Sequence, residues 1–400
     1  MTEAYIYDAI RTPRGKGKED GGLHELQPIQ LLSQLFAAVI SRQQLPNDAL
    51  DDVVLGCVSQ VEEQGGNIAK VAALYAGLDS RVSGVTINRY CSSGLDACNF
   101  AAMKINAGVD DLVIAGGVES MSRVAMLSDK ASFYSDPATV QAAHFVPMGL
   151  AADLIASLDG ISREQCDAYA VQSQQRAATA REEGRFDRSL ITIKNADGQI
   201  ALDRDEIIRA DVTTELLASF NTSFPSFGVH YEPLFKRLFP ELDALQYVHH
   251  KGNSPGIADG ASMVLIGNRK AGEKFELKAR ARVRSIKNAS ASEWLGLTGG
   301  IEAAKAVLSS GKMKAADIDL YEFNEAFAST SIKFPHELGV GPEIVNVNGG
   351  AISLGHAMGA TGASLLGTVL DELERCDLAT GLVAVSGAAG VGTATIIERV

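Results

Sequence analysis

Cysteine is scarce in this chain, and the five present, Cys57, Cys91, Cys98, Cys166 and Cys376, include no CxxC pair. An odd count with that spacing leaves no disulfide framework and predicts free thiols, each by default a small packed hydrophobe. Positive charge is also short: 36 Lys and Arg face 49 Asp and Glu, a formal net charge of −13, so the chain offers no overall basic field to nucleic acid or anionic lipid. No apolar run approaches the roughly 18 residues of a membrane span, and Met1 to Ile10 lacks the charged-then-apolar order of a secretory signal. A cytosolic protein is expected.

Common catalytic signatures are missing as well: there is no GxxxxGK[ST], no GxGxxG after a strand and no HExxH. The seven histidines are scattered. The adjacent His249 and His250 cannot both face one metal in regular structure, so they read as a packed or solvated pair and no metal site is expected. Asp51-Asp52 and Asp110-Asp111 precede apolar runs and read as exposed strand-entry charges. The densest basic run, Arg11-Thr12-Pro13-Arg14-Gly15-Lys16-Gly17-Lys18, reads as a solvated loop.

What is present is ordinary soluble-protein material, 46% hydrophobic and 21% charged with 39 Gly, in a chain long enough for two domains or a double core. Apolar runs after Asp51, from Val82 to Ile87 and from Asp111 read as strands. Ile68 to Ala76 reads as a helix, and Leu95, Cys98, Ala102 and Ile105 form one helical stripe. The C-terminal third repeats this grammar: strands at Ile318 to Phe323, Ile344 to Asn348 and Leu382 to Ser386, with a helix over Thr361 to Glu374. Laying Val85-Thr-Ile-Asn-Arg on Ile344-Val-Asn-Val-Asn brings the following helices and strands into register, which predicts two similar α/β halves. Alternation of strand and helix predicts a largely parallel sheet covered on both faces. Residues 1–120 with 250–270 form one half and 277–400 the other; 121–249, more polar and irregular, read as an inserted subdomain carrying a helix over Ser162 to Glu183.

Cys91 sits at a strand-to-helix junction. The amides of Ser92, Ser93 and Gly94 and the positive helix end would favour a thiolate and could cradle an oxyanion, a setting suited to acyl transfer through a thioester. On that feature alone, packing and function stand level. His356 lies among five glycines in Asn348-Gly-Gly-Ala-Ile-Ser-Leu-Gly-His-Ala-Met-Gly-Ala-Thr-Gly, with little steric cover, where backbone is made to approach a ligand. Asn324-Glu-Ala-Phe-Ala places an amide at the end of another strand, and the internal repeat brings all three segments to equivalent sheet ends.

These residues carry a family resemblance. Through Arg11-Thr12-Pro13, Asn88-Arg-Tyr-Cys-Ser-Ser-Gly, Gly116-Gly-Val-Glu-Ser-Met-Ser, Asn324-Glu-Ala-Phe-Ala and Asn348-Gly-Gly-Ala-Ile-Ser-Leu-Gly-His, the chain resembles the thiolases, acyl-CoA acyltransferases that make or break 3-ketoacyl-CoA. The resemblance implies a duplicated, five-layered α-β-α-β-α fold with a loop domain over the site, and a homodimer or homotetramer. It implies that Cys91 takes the acyl group, that His356 deprotonates it, and that Asn324 holds a water which helps polarise the thioester. Met148 and Phe327 would line the acyl and pantetheine tunnel. CoA would enter as substrate with no cofactor, in β-oxidation and alongside its partner enzymes. Four positions depart from the family pattern. Ala357 replaces the Pro after the histidine, Pro255 replaces a CoA-contacting Ser, Ser386 stands where a second catalytic Cys exchanges the proton on the acetyl carbon, and Ala388 stands where a Gly serves a second oxyanion hole. Ser386 is the gravest change, since an alcohol is a poor base near neutral pH. Alternatives to carbon–carbon cleavage are therefore an acyltransferase or thioesterase that stops at acyl-Cys91 chemistry, or a non-catalytic CoA-binding subunit; the retained Cys91, His356 and Asn324 count against the last.

Overall fold

The computed structural model describes residues 2–400. One ten-stranded mixed sheet organises it. Its strands are β1 (Tyr5–Arg11), β2 (Asp52–Gly56), β3 (Val85–Ile87), β4 (Leu112–Ser120), β5 (Ala258–Gly267), β6 (Ala281–Ser290), β7 (Leu320–Phe323), β8 (Thr380–Ser386) and β9 (Val391–Arg399), with the short Gly15–Lys16 paired to β5. The order is β7-β8-β9-β6-β1-β5-β4-β2-β3. Two half-sheets meet where β1 and β6 pair through only Tyr5–Ile6 and Ala281–Arg282.

Strand alternation assigns the layers. In β4, Leu112, Ile114 and Val118 pack outward on α1 (Pro28–Arg42) and α2 (Ile68–Tyr75). Val113 and Ala115 face inward, onto α3 (Ser93–Asn106) and onto Leu365, Leu366 and Val369 of a helix, Met358–Arg375, from the other half of the chain. From that half, Val383 and Val385 of β8 reach the same inner cluster, whereas Leu382 and Ala384 pack outward on the helix Gly299–Gly311 and on Phe334 of the helix Ala328–Leu338. The result is five layers, helix–sheet–helix–sheet–helix. The predicted stripe Leu95, Cys98, Ala102 and Ile105 lies wholly in the inner cluster. Of the remaining helices we number those that border the two halves and the site: α4 (Met148–Asp159), α5 (Arg163–Glu182), α6 (Gly299–Gly311), α7 (Ala328–Leu338) and α8 (Met358–Arg375). No helix among the described residues is long and apolar enough to cross a membrane.

Four expectations need correction. The sheet is mixed: only the pairings β2–β3, β2–β4 and β7–β8 are parallel. β5 returns after the 121–249 segment and β9 follows β8 through the tight turn Gly387–Gly390, so neither crosses over through a helix, and both run antiparallel. The strand expected at Ile344 to Asn348 shrinks to one bridge, Tyr321 to Val345. Asn346 there takes a left-handed φ of 49°, and its side-chain amide both accepts from Phe323 N–H and donates to Phe323 carbonyl at 2.8 Å, in place of a backbone ladder. Asp52 is buried rather than exposed, because Lys104 of α3 reaches its carboxylate. Finally, the basic run is no solvated loop: Arg11 and Arg14 are 2% and 4% exposed. Arg11 grips Asp205 with two hydrogen bonds of 2.7 and 2.8 Å, and so ties the 121–249 segment to β1.

The central helices cross so closely that backbone meets backbone. A Cβ on Gly94 would lie 2.4 Å from the Gly359 carbonyl oxygen, and one on Gly117 2.0 Å from the same atom. Glycine is needed here for the absence of a side chain. Gly117→Ala is expected to cost about 3 kcal/mol or more by forcing α8 off β4, read as a lowered thermal unfolding midpoint; an unchanged midpoint would show that this crossing has slack.

Candidate active site

The four segments singled out in the sequence meet around the N-terminal ends of α3 and α8. Cys91 lies in the turn between β3 and α3, and His356 in the turn before α8, after Gly355 at φ 92°. Asn324 follows β7 and Ser386 ends β8. Direct bonds join the Cys91 and Asn324 segments to the end of β8, and the close approach of Gly94 to the Gly359 carbonyl brings the start of α8, after His356, against the start of α3. Ser92 Oγ donates to Val385 carbonyl at 2.8 Å, Asn324 N–H to Ala384 carbonyl at 3.1 Å, and His356 N–H to Gly256 carbonyl at 2.8 Å. The end of β8 thus touches the Cys91 turn on one side and the Asn324 backbone on the other.

The Cys91 turn differs from expectation. Tyr90 sits at a left-handed φ of 49°, which folds the chain back so that Ser92 N–H donates to Arg89 carbonyl and Ser93 N–H to Tyr90 carbonyl, at 3.1 and 2.9 Å. Those two amides are spent and cradle nothing. Nor does the helix end win the electrostatics: burial, with the carboxylate of Glu119 nearby, pushes the Cys91 thiol up to about 12. Glu119 is fully buried and accepts four hydrogen bonds, from Val58, Ser59 and Gly359 N–H and from Gln64 Nε2. Its negative charge therefore caps α8 through Gly359 while it opposes a thiolate at Cys91.

His356 is 9% exposed, buried rather than bare. Its Nδ1 lies 2.9 Å from Thr361 Oγ1, and Thr361 already donates its hydroxyl proton to Ala357 carbonyl at 3.0 Å. Nδ1 must then be the donor, which leaves Nε2 with its lone pair, buried and without a hydrogen-bond partner. Burial, and then the positive charge of Arg14, hold the imidazole down to about 4. At neutral pH the resting groups are a neutral thiol and a neutral base. Asn324 is 1% exposed, and both its Oδ1 and Nδ2 lack partners. An amide left wholly unsatisfied in a buried place is costly, so it marks a point where a water or a substrate oxygen completes the site.

Ser386 is fully buried. Its hydroxyl donates to Leu297 carbonyl at 2.7 Å and accepts from Gly300 N–H at 2.9 Å, so its proton is committed to the loop before α6. Met148 and Phe327 pack in one apolar cluster with Ala152, Ile155 and Leu297, and Phe327 meets the His249 ring edge-on at 5.2 Å. His249 and His250 are fully buried on separate carboxylates, Asp153 and Asp167, each at 2.7 Å. Pro255 precedes Gly256, whose carbonyl holds His356, and Ala388 opens the turn in which Ala389 takes φ 56°. Sequence reasoning missed Glu119, Thr361 and Arg14. A carboxylate closing a wholly apolar strand, and a hydroxyl five residues after the histidine on the following helix, were the available signals.

Removing the Thr361 hydroxyl would leave the buried Nδ1–H unpaired at a cost of about 1–3 kcal/mol, enough to favour the wrong tautomer. Thr361→Val is expected to slow alkylation of Cys91 by iodoacetamide on the order of 10-fold or more, by the same principle, with Thr361→Ser close to the parent. Equal rates in all three proteins would remove Thr361 from the proton path.

Comparison with known proteins gives the family. Residues 4–230 match the family model of the thiolase N-terminal domain and residues 277–399 that of the thiolase C-terminal domain. The 3-ketoacyl-CoA thiolases of Shewanella frigidimarina (strain NCIMB 400) and Shewanella sp. (strain W3-18-1) are 38% and 37% identical to the chain, each match covering all of both proteins. The crystal structure of the Bacillus anthracis acetyl-CoA acetyltransferase superposes with a TM-score of 0.86 at 29% identity, over 100% of this chain and 99% of that one. With two family models and full-length relatives in accord, the chain belongs to the thiolase family.

Proposed function

We propose that the protein is a CoA-dependent acyltransferase that cleaves 3-ketoacyl-CoA with CoA, or runs the reverse condensation, through an acyl thioester on Cys91. The observation that carries this reading is that buried His356 keeps a free Nε2 lone pair and buried Asn324 an unsatisfied amide, on segments that adjoin the helix and strand ends to which the Cys91 turn is joined. In this scheme the Cys91 proton passes to Nε2 as sulfur adds to the 3-keto carbon. The C2–C3 bond then breaks, leaving the acyl chain on Cys91, while the departing acetyl-CoA carbanion must gain a proton. Once the Nε2 proton has passed to that carbanion, directly or by way of a second acid, Nε2 accepts the CoA thiol proton as the CoA sulfur attacks the acyl carbonyl, and returns it to the Cys91 sulfur as that leaves. A water on Asn324 and the newly protonated Nε2 meet the oxyanion, so the scheme calls on no metal or organic cofactor. Met148 and Phe327 serve as apolar tunnel wall in this reading, with Pro255 and Ala388 close to CoA.

A second reading is favoured by one observation. The Ser386 proton is already given to Leu297, so the group that stands where the family keeps its second acid/base is a poor donor to a carbanion. Acyl transfer to Cys91 needs no such proton; carbon–carbon cleavage does. An acyltransferase or thioesterase without carbon–carbon turnover follows if nothing else supplies it.

We also read the protein as a cytosolic homodimer or homotetramer acting in β-oxidation. Support for assembly comes from β3, which ends the sheet. Beside it Val71, Leu74, Tyr75, Val85, Phe100 and Met103 are all more than a third exposed, more apolar surface than a lone edge strand usually leaves in water.

Three measurements test these points. After incubation with acetyl-CoA, digestion and mass measurement should place an acetyl group on Cys91 and on no other cysteine; label on Cys57 or Cys98 alone would end the proposal. Ser386→Cys should raise 3-ketoacyl-CoA thiolysis on the order of 10²-fold while Cys91 acylation stays nearly constant, whereas an unchanged or lower rate means another proton donor or no such reaction. Light scattering over a concentration series should give a dimer or tetramer, and a stable monomer would contradict the assembly.

A further inference from the structure

The residue after Asn324 is a buried acid that the proposed reaction does not call on, and its carboxyl group joins segments far apart in the chain. Glu325 is 1% exposed. Its Oε1 accepts from Tyr169 Oη at 3.0 Å, with Asn346 Nδ2 at 3.5 Å, and its Oε2 accepts from Ser173 Oγ at 2.8 Å and from Ile352 N–H at 2.9 Å. Tyr169 and Ser173 belong to α5, so the inserted segment grips the acid from one side. Ile352 belongs to the short helix Ala351–Leu354, which runs through Gly355 into His356. The carboxyl group lies so close to that helix that a Cβ on Gly350 would be 2.5 Å from Glu325 Cδ. The chain itself fixes the acid to Asn324, whose backbone has no slack: its N–H donates to Ala384 carbonyl at 3.1 Å and its carbonyl accepts from Ala326 N–H at 2.7 Å. Burial of a carboxyl group is costly unless its oxygens are met, and a network met this fully fixes the segments it joins.

We propose that Glu325 is a positioning residue for acyl transfer, a strut that sets the Asn324 side chain and the His356 turn at a fixed separation and locks both to α5. This rests on the roles proposed above for Asn324 and His356. The acid makes no hydrogen bond to the Asn324 amide group or to the imidazole; it acts on them through one peptide link and through the stretch from Ile352 to His356. Separation matters because the oxyanion donors must meet one oxygen while Nε2 meets one proton, and a misplacement of about 1 Å can slow such a step on the order of 10²-fold. The bonds also decide which substitute serves. Glutamine keeps a carbonyl oxygen for Ser173 and Ile352 and turns its NH₂ to the Tyr169 hydroxyl, which can accept, at the loss only of the long Asn346 contact. Methionine keeps the bulk and none of the bonds.

The rate of Cys91 acetylation at saturating acetyl-CoA, followed by mass of the intact protein, reads the effect. Glu325→Met should slow it on the order of 10²-fold, and Glu325→Gln should restore most of the parent rate. In an Asn324→Ala background, where one of the two aligned groups is already gone, Glu325→Met should slow acetylation about 10-fold less than it does in the parent; a residue that merely holds the fold together would act equally in both. A folded Glu325→Met protein acetylated at the parent rate, or an equal loss in the two backgrounds, would overturn the proposal. Should Glu325→Met not fold, Tyr169→Phe combined with Ser173→Ala carries the test, because it withdraws both α5 hydroxyls and leaves the acid in place. A loss on the order of 10-fold is then expected, and a parent rate overturns the strut. Alkylation of Cys91 by iodoacetamide draws on His356 and needs no oxyanion donor. If the parent is never acetylated while Glu325→Met still slows alkylation, the strut stands and the acyltransferase reading falls instead.

Discussion

Two helices enclosed between sheets are the constraint on which the rest of the molecule depends. α8 is buried through most of its length and α3 through Asn99, so each must satisfy apolar contacts on both sides there and lie against the other. Their N-terminal ends can approach only because Gly94, Gly117 and Gly359 carry no side chains. That approach carries the Cys91 turn and the His356 turn to one place, from segments more than half the chain apart. In this chain, a side chain at the crossing point would part the two turns, so the packing of the core and the geometry of the candidate site become one requirement.

Charge is arranged around that point with unusual asymmetry. Glu119 binds the start of α8 and works against a thiolate, whereas Arg14 works against an imidazolium. The effect is to suppress the ion pair that a cysteine and a histidine would otherwise form in an open cleft. Both residues wait in neutral form. In the proposed reaction, charge would appear only as a carbonyl arrives to accept it, met by the amide of Asn324 and the imidazole of His356. Unsatisfied Asn324 and the free Nε2 are the structural counterpart of that delay.

Periodicity made most of this architecture readable. The continuous runs that became β4 and β8, the helical stripe of α3 and the helix α8 follow from local pattern, and so does their duplication. Features set by distant partners were not readable. Nothing near Arg11 announces Asp205, and nothing near Asp52 announces Lys104, so both regions read as solvated. The run Ile344 to Asn348 is apolar and alternating like a strand, but Asn346 turns back on Phe323 and ends the ladder. At Cys91 the position was legible and the electrostatics were not. A helix start is a local signal, while the spent amides of Ser92 and Ser93 depend on the left-handed Tyr90, and the opposing charge comes from the end of β4. Ser386 was legible as a departure from the family; that its hydroxyl props the loop before α6 depended on Leu297 and Gly300.

The suppressed thiolate has a consequence for the lifetime of the protein. Peroxide and disulfide exchange attack cysteine through its ionised form, so a thiol held near 12 by burial is chemically quiet towards both. On the proposed role of Cys91, ionisation would be confined to the act of acylation, and sulfenic acid would form on the resting thiol more slowly than on an ordinary cysteine.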